Sequence, residues 1–158
     1  MVKTTTDPNA NSAVVKKFTA FLESKQLRKT PERFAIVRCV LAFNRHFTIE
    51  DVRHMLEDEV YHVSRATLYN TIDLLLEAGI LVKLTFDGLP PQYERVPAIP
   101  HIHLICTQCD KVKEVRDTDL AAFMNARKYT AFTTAHYTLT AYGLCSTCAR
   151  KRKRAKSK

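Results

Sequence analysis

Apolar residues recur at helical spacing through the first half of the chain. In residues 13–24 they share one face of a helix, at Val14, Val15, Phe18, Phe21 and Leu22. Thr30 followed by Pro31 is typical of a second helix start, because threonine caps free backbone N–H groups and proline suits the first turn. This helix is predicted to extend to about Phe43.

Two further helices are predicted from their caps. Thr48 and Asp51 form a variant of the capping box, in which two side chains satisfy the free N–H groups of a helix start. Ser64 caps a fourth helix over residues 65–78, and Gly79 stands where a left-handed residue commonly follows a helix. The buried stripe of this helix is predicted to be Leu68, Ile72 and Leu75.

The pattern then changes to that of strands. Residues 80–86 and 92–96 flank the turn sequence Asp-Gly-Leu-Pro-Pro, which predicts a two-stranded hairpin. Several short helices followed by a hairpin is the element order of a winged helix-turn-helix. The prolines of residues 97–100 hold the chain extended and indicate a hinge.

The second half has a different organisation. Strands are predicted over residues 101–106, 111–115 and 137–142, and a helix over residues 117–128. The sequence therefore predicts an α+β protein with an N-terminal winged helix-turn-helix domain and a small C-terminal α/β domain.

Composition supports a folded protein and gives no sign of a membrane segment. Of the 158 residues 46% are hydrophobic, enough for a packed core. No run approaches the roughly 18 consecutive apolar residues that cross a bilayer. Residues 1–12 are polar and lack an apolar signal-peptide centre, so we expect a cytoplasmic protein.

The net charge of +9 is concentrated at one end. Residues 150–158 carry seven lysines or arginines and no acid, whereas the other residues carry 18 basic and 16 acidic side chains. Basic runs favour phosphate backbones. A solvated, disordered end is an equally good interpretation of this basic tail.

Four of the five cysteines form two Cys-x-x-Cys pairs. Cys39 lies in an apolar run and is interpreted as a small buried hydrophobe. The pairs are Cys106 with Cys109 and Cys145 with Cys148, separated by 35 residues. Four thiolates suit tetrahedral structural zinc, which would staple a whole strand–helix–strand unit. The alternatives are two redox dithiols or disulfides, but a thioredoxin-like motif needs a larger sheet.

Two other sets of side chains suggest chemistry. His101 and His103 lie two apart on a predicted strand and share a face, which is half of a divalent metal site. The first turns of the fourth helix present groups that suit DNA, namely Ser64, Arg65, Thr67, Tyr69 and Asn70. Nearby basic side chains could hold the phosphate backbone: Lys16, Lys17, Lys25, Lys29 and Arg33. An ordinary solvated helix face is the competing interpretation.

Several motifs in order resemble the ferric uptake regulator family. The phrase His-Ile-His-Leu-Ile-Cys-Thr-Gln-Cys-Asp-Lys-Val-Lys-Glu covers residues 101–114 and resembles the family's histidine-rich strand, cysteine pair and acid. Further similar segments lie at residues 27–33, 44–52, 64–69, 93–94 and 142–145. The resemblance covers nearly the whole chain.

The resemblance implies a metal-dependent transcriptional repressor that binds double-stranded DNA as a homodimer. Structural zinc would be held by Cys106, Cys109, Cys145 and Cys148. A regulatory divalent metal would be held by His46, Glu94, His101, His103 and Glu114. Tyr69 and its neighbours would meet DNA bases. The implied domains are the DNA-binding domain 1–96, the hinge 97–100, the zinc-binding dimerisation domain 101–149 and the basic tail 150–158.

The chain departs from the family pattern in places. Many members have a third metal site on the dimerisation domain, but here Pro100 and Ile102 flank the histidines and cannot ligate. His136 stands one residue early, where a strand would point it away from the face of Tyr137. We therefore expect no third site. Asn70 stands where arginine is frequent in the family, so a known operator sequence is not transferred.

The effector metal remains open between several ions. A mixed histidine and carboxylate site accepts Fe²⁺, Mn²⁺, Co²⁺ or Zn²⁺, and we place iron first and zinc second. Peroxide-sensing members characteristically have aspartate where this chain has Glu94, which argues mildly against peroxide sensing. Two other classes stay as rivals: a zinc hydrolase using His101 and His103, and a zinc-stabilised RNA-binding or adaptor module using the tail.

Overall fold

The computed structural model describes residues 8–57, 63–86, 88–96, 101–134 and 136–156 and divides the chain into two compact units. The first unit is Met1–Val96 and the second is Pro97–Lys158. The predicted hinge at residues 97–100 lies outside the described residues. The two units are described separately below.

The first unit contains four helices and a hairpin. The helices are α1 (Pro8–Ser24), α2 (Pro31–Ala42), α3 (Ile49–Glu57) and α4 (Arg65–Glu77). The hairpin strands are β1 (Leu81–Leu84) and β2 (Gln92–Arg95), which pair antiparallel. This is the predicted winged helix-turn-helix order.

The predicted caps form three of the helix starts. The Arg33 N–H donates to Thr30 Oγ1 at 3.5 Å, and the Thr67 N–H donates to Ser64 Oγ at 3.1 Å. At α3 the capping is reciprocal, because the Thr48 N–H donates to Asp51 Oδ2 at 2.7 Å and the Asp51 N–H donates to Thr48 Oγ1 at 3.1 Å. Each bond satisfies an N–H group that the helix itself cannot pair.

The core of the first unit collects apolar faces from all four helices. Its fully buried side chains include Phe18, Leu22, Ile36, Ile72 and Leu75, and Cys39 is buried among them as expected. An antiparallel bridge ties the hairpin to the loop before α3. Phe47 and Tyr93 exchange backbone hydrogen bonds of 3.0 and 2.8 Å, which fixes the position of β2.

The second unit contains three strands and two helices. The elements are β3 (Ile102–Cys106), β4 (Val112–Val115), α5 (Thr118–Ala126), β5 (Leu139–Gly143) and α6 (Ser146–Lys156). The strand order is β4-β3-β5, with β3 antiparallel to β4 and parallel to β5. The central strand, β3, therefore carries His103, a predicted metal ligand, and Cys106, the first residue of the first cysteine pair.

Two sequence expectations differ from the structure in this unit. The last strand was expected to begin at Tyr137, but β5 begins at Leu139. His136 and Tyr137 therefore precede the strand, so the expected strand alternation does not place them on opposite faces. A disordered end was one of two interpretations of the basic tail, but α6 starts at Ser146 and continues through the basic residues to Lys156.

No helix in the described part of the chain is both long and apolar enough to span a membrane.

Candidate functional site

The four paired cysteines come together in the second unit. Their sulfur atoms all lie within 4.8 Å of one another. Cys106 and Cys148 are buried, while Cys109 is exposed at the surface of the cluster. This grouping of four thiols is the donor set that structural zinc prefers. Among the described residues it is the only group of three or more potential metal ligands that lies within a single unit.

Local turns explain how each pair reaches the cluster. After β3 the chain reverses through Asp110, whose φ of +55° lies in the left-handed region. The Asp110 N–H donates to the Cys106 carbonyl at 2.9 Å and closes this turn. Cys145 immediately precedes α6, and Cys148 lies in its first turn. A helix start carries partial positive charge, which favours a thiolate at Cys145.

Hydrogen bonds lower the pKa of two of the four thiols, Cys106 and Cys145, and raise the pKa of the other two, Cys109 and Cys148. The Cys145 N–H donates to Cys106 Sγ at 3.3 Å and lowers the pKa of the Cys106 thiol to about 6. The Cys148 N–H, at 3.5 Å, likewise lowers the pKa of Cys145. The side chain of Cys145 in turn raises the pKa of Cys148 to about 12. Four adjacent thiols ionise fully only when a cation balances them, which fits a bound zinc ion.

His46 and Glu94 form a close pair in the first unit. His46 Nε2 lies 3.2 Å from Glu94 Oε2, and their side chains are only 9% and 10% exposed. The Phe47–Tyr93 bridge causes this contact, since residues next to an antiparallel bridge stand opposite each other. The ring of Phe86 lies 6.2 Å from that of His46 and adds an apolar wall. An imidazole and a carboxylate are thus held together away from water.

His101 and His103 form a second close pair, in the other unit. Their Nε2 atoms are 3.1 Å apart, and His103 is 1% exposed. Glu114 on β4 is the register partner of His103 on β3, so both side chains share one face of the sheet. The structure therefore brings together the two imidazoles whose spacing suggested a shared face, and their role as metal ligands stays a prediction.

The start of α4 presents the polar face expected for DNA contact. Ser64, Arg65, Tyr69 and Asn70 are exposed, and Tyr69 is 50% exposed. Thr67 is half-buried and is occupied by the cap, with its hydroxyl 2.9 Å from Ser64 Oγ. Leu68, Ile72 and Leu75 are buried on the opposite side, as expected.

Several of the basic side chains expected to hold phosphates make contacts within the protein. Lys17 Nζ donates to the Gly79 carbonyl at 2.8 Å. Lys25 pairs with Glu77 and Lys29 with Glu23. Exposed ion pairs of this kind are worth little, so phosphate can replace them. Arg33 contacts Asn70 on α4, which no periodicity or spacing in the sequence indicated.

The groups considered for a third metal site have other partners. Asp117 caps α5 by accepting from the Leu120 N–H at 2.9 Å. The Tyr137 hydroxyl donates to the Ala121 carbonyl at 3.2 Å. His136 is exposed, and no group of three or more histidine, cysteine or carboxylate ligands in the described chain contains Asp117, Asp119 or His136.

These features define a winged helix-turn-helix protein with a four-cysteine metal centre. The chain belongs to the ferric uptake regulator family, whose sequence model matches residues 24–142. It is 30% identical over 131 residues to the peroxide operon regulator of Bacillus subtilis, covering 82% of this chain and 90% of the relative. It is 29% identical over 133 residues to the peroxide-responsive repressor PerR of Staphylococcus aureus, covering 84% and 89%.

Solved structures show the same fold. The Helicobacter pylori ferric uptake regulator matches with a TM-score of 0.70 at 19% identity, covering 88% of this chain and 93% of that one. The ferric uptake regulator of Pseudomonas aeruginosa, solved with manganese, matches with a TM-score of 0.67 at 23% identity, covering 81% and 97%. The family consists of metal-responsive transcriptional regulators, so the expected class of protein is confirmed.

Proposed function

We propose that this protein is a transcriptional repressor that binds operator DNA as a homodimer when a regulatory divalent metal is bound. The observation that carries the proposal is the pairing of His46 with Glu94. Glu94 lies on β2, a strand of the β1–β2 hairpin that forms the wing of this DNA-binding fold. A nearly buried imidazole–carboxylate pair is a natural half of a metal site. Its position ties metal binding to the unit that carries Tyr69.

The regulatory ion would be shared between the two units. We assign His46 and Glu94 as ligands from the first unit and His101, His103 and Glu114 as ligands from the second. An ion bound by both sets favours one relative arrangement of the units through its differential affinity. In a dimer, that arrangement sets the separation of the two copies of α4, the proposed recognition helix, and hence their fit to half-sites one DNA turn apart.

The apolar surface of the second unit supports a homodimer. Its exposed large hydrophobic side chains are Leu104, Phe123, Tyr129, Phe132, Tyr142 and Leu144. Few described apolar side chains of this unit are buried, among them Ile105 and Ala121. A protein interface would cover these side chains, and a second copy would complete the core that one copy lacks.

We assign the four cysteines to structural zinc and place iron first and zinc second at the regulatory site. Zinc supplies a folding constraint when its four ligands are thiolates. The proposal is tested by fluorescence anisotropy of duplex DNA selected from a randomised pool, with protein whose regulatory site has been emptied and then supplied with Fe²⁺, Mn²⁺ or Zn²⁺. The metal content of protein from its native host is measured in parallel. Strong activation by iron, with zinc alone in the cysteine site, is the expected result.

Peroxide sensing is the second candidate function, favoured by the names of the Bacillus and Staphylococcus relatives. The iron-loaded protein is treated with hydrogen peroxide, and its proteolytic peptides are analysed by mass spectrometry. Oxygen addition to His46, His101 or His103 with loss of DNA binding would establish this function. If the histidines stay unmodified and DNA binding is intact, the protein responds to metal and not to peroxide.

Binding of RNA in place of duplex DNA would favour the interpretation as an RNA-binding or adaptor module.

A further inference from the structure

The Arg33 side chain connects the start of α2 to the exposed face of α4. Its Nη1 group donates to the Arg28 carbonyl at 2.7 Å, and its Nη2 group donates to Asn70 Oδ1 at 3.4 Å. The guanidinium is therefore held at both ends of its fork. Asn70 lies 37 positions further along the chain, on the helix that the proposed function places against DNA.

This contact fixes the orientation of the Asn70 amide. A guanidinium carries only donors, so the amide atom that faces it must be the carbonyl oxygen and not the amino group. The Nδ2 amino group is directed elsewhere. The Oδ1 atom keeps a second lone pair after accepting from Arg33, so Asn70 can still accept one hydrogen bond and donate through Nδ2.

The position of Asn70 suits a base contact. It is exposed, next to the half-exposed Tyr69 on the side of α4 opposite the buried stripe. Asp73 is the next exposed residue along this face. Its negative charge disfavours a phosphate there, so contacts with DNA are expected from the turns of α4 up to Asn70.

We propose that Arg33 and Asn70 act as one specificity-determining unit that reads an adenine in the major groove. Asn70 would donate from Nδ2 to adenine N7 and accept at Oδ1 from the N6 amino group, the pairing that asparagine makes with this base. Arg33 is the positioning residue, because it holds the amide in the orientation that this pairing needs. The inference rests on the proposed function and adds a base preference to it.

A lysine substitution separates positioning from plain charge. Lysine keeps the positive charge that a phosphate contact needs but lacks the planar fork that reaches Arg28 and Asn70 together. If Arg33 only attracts phosphate, Arg33→Lys binds all DNA nearly as well as the wild type. If Arg33 orients Asn70, Arg33→Lys loses base discrimination.

The experiment begins with selection from randomised duplex DNA by the metal-activated wild-type protein, followed by affinities for the selected site and its single-base variants. Asn70→Ala should reduce discrimination at one adenine position by about 5- to 150-fold, the range for a bidentate base contact. Arg33→Lys should reduce discrimination at the same position. The double variant should lose no more than Asn70→Ala alone, because the two residues act together. Arg38→Lys, on the same helix, is the matched control and should leave discrimination unchanged.

Each outcome decides the inference. Arg33→Lys with full discrimination, or losses at different positions for the two variants, would overturn it. Melting temperatures near that of the wild type show that each variant remains folded. If the wild type binds no duplex DNA with any metal, the proposed function fails instead, and that result is distinguishable because it precedes every variant.

Discussion

His46 Nε2 lies 3.2 Å from Glu94 Oε2 although the two residues are 48 positions apart in the chain. The backbone bridge between Phe47 and Tyr93 brings the two together, so backbone hydrogen bonds tie the wing to the loop before α3. A metal ion bound by His46 and Glu94 would therefore contact the wing directly, because Glu94 lies on β2.

Loss of either side chain should abolish metal activation without unfolding the protein. His46→Ala and Glu94→Gln each remove one proposed ligand, and we expect regulatory metal affinity to fall by more than about 10-fold. DNA anisotropy with and without metal measures the effect, and elemental analysis should still find the structural zinc. His103→Ala should behave in the same way.

The control for these variants is Glu57→Gln, an exposed acid on α3 that pairs with Arg53. It should retain metal activation. Wild-type DNA affinity that does not respond to iron, manganese or zinc would contradict the regulatory assignment and leave a constitutive DNA-binding protein.

The four-cysteine site should be required for the second unit to fold. Cys106→Ser leaves an incomplete ligand set, and structural zinc contributes about 10–16 kcal/mol of apparent binding free energy in small zinc domains. We expect loss of zinc, a monomeric protein and a lower melting temperature. Cys39→Ala, which alters the buried cysteine outside the cluster, should keep its zinc. A dimeric Cys106→Ser protein with unchanged melting would show that the site is dispensable.

The metal-saturated protein should bind two metals per chain, one tightly and one exchangeable. The Helicobacter pylori relative is described as having three functional metal-binding sites. Here Ile102 has no donor, Asp117 caps a helix and Tyr137 contacts a backbone carbonyl. Elemental analysis and anomalous scattering measure the count. A third ordered ion bound by the second unit alone would refute this prediction.

Tyr69 and the basic end of α6 should affect DNA binding in different ways. Deletion of residues 151–158 removes six basic side chains and keeps all four cysteines. It should weaken binding to every duplex and reduce the salt slope by up to about 5. Tyr69→Ala should instead weaken the selected site more than random DNA. If the deletion erases discrimination between the selected site and random DNA while Tyr69→Ala has no effect, the two roles are reversed.

The cap of α3 should make a pH-dependent contribution to stability. Although partial burial opposes it, hydrogen bonding from Thr48 lowers the pKa of Asp51 below its ordinary value. A carboxyl whose pKa is lowered in the folded state stabilises that state above its unfolded pKa and loses this effect as the pH falls through the folded pKa. Asp51→Ala should cost about 1 kcal/mol at neutral pH. The difference from wild type in urea unfolding should shrink near and below pH 4; a constant difference would contradict the prediction.

Local signals in the sequence accounted for most of the first unit. Thr30, Thr48 and Ser64 cap helices where their residue types predicted, since capping depends on neighbours within one turn. Gly79, with a φ of +60°, follows α4 as expected. The contact between Arg33 and Asn70 could not be predicted in this way, because it depends on how α2 packs against α4.

The second unit was predicted less completely. The spacing of His101 and His103 identified their shared face, and the cysteine pairs identified the cluster. Helix α6 was missed because residues 150–156 contain almost no apolar side chains, so they give no helical periodicity. Its start is set by the cysteines that come before and within its first turn, a constraint visible only when the cluster is assembled.

Strand β3 carries a proposed ligand of the regulatory ion and a cysteine of the four-cysteine cluster, and the two face different surroundings. His103 and Cys106 are three residues apart, so their side chains leave opposite sides of the sheet. The two ligand environments therefore lie on opposite faces of the sheet, so side chains around His103 can change without replacing those around Cys106. A lineage could therefore retune which ion it senses, by exchanging residues around His103, while the staple that keeps the unit folded stays untouched.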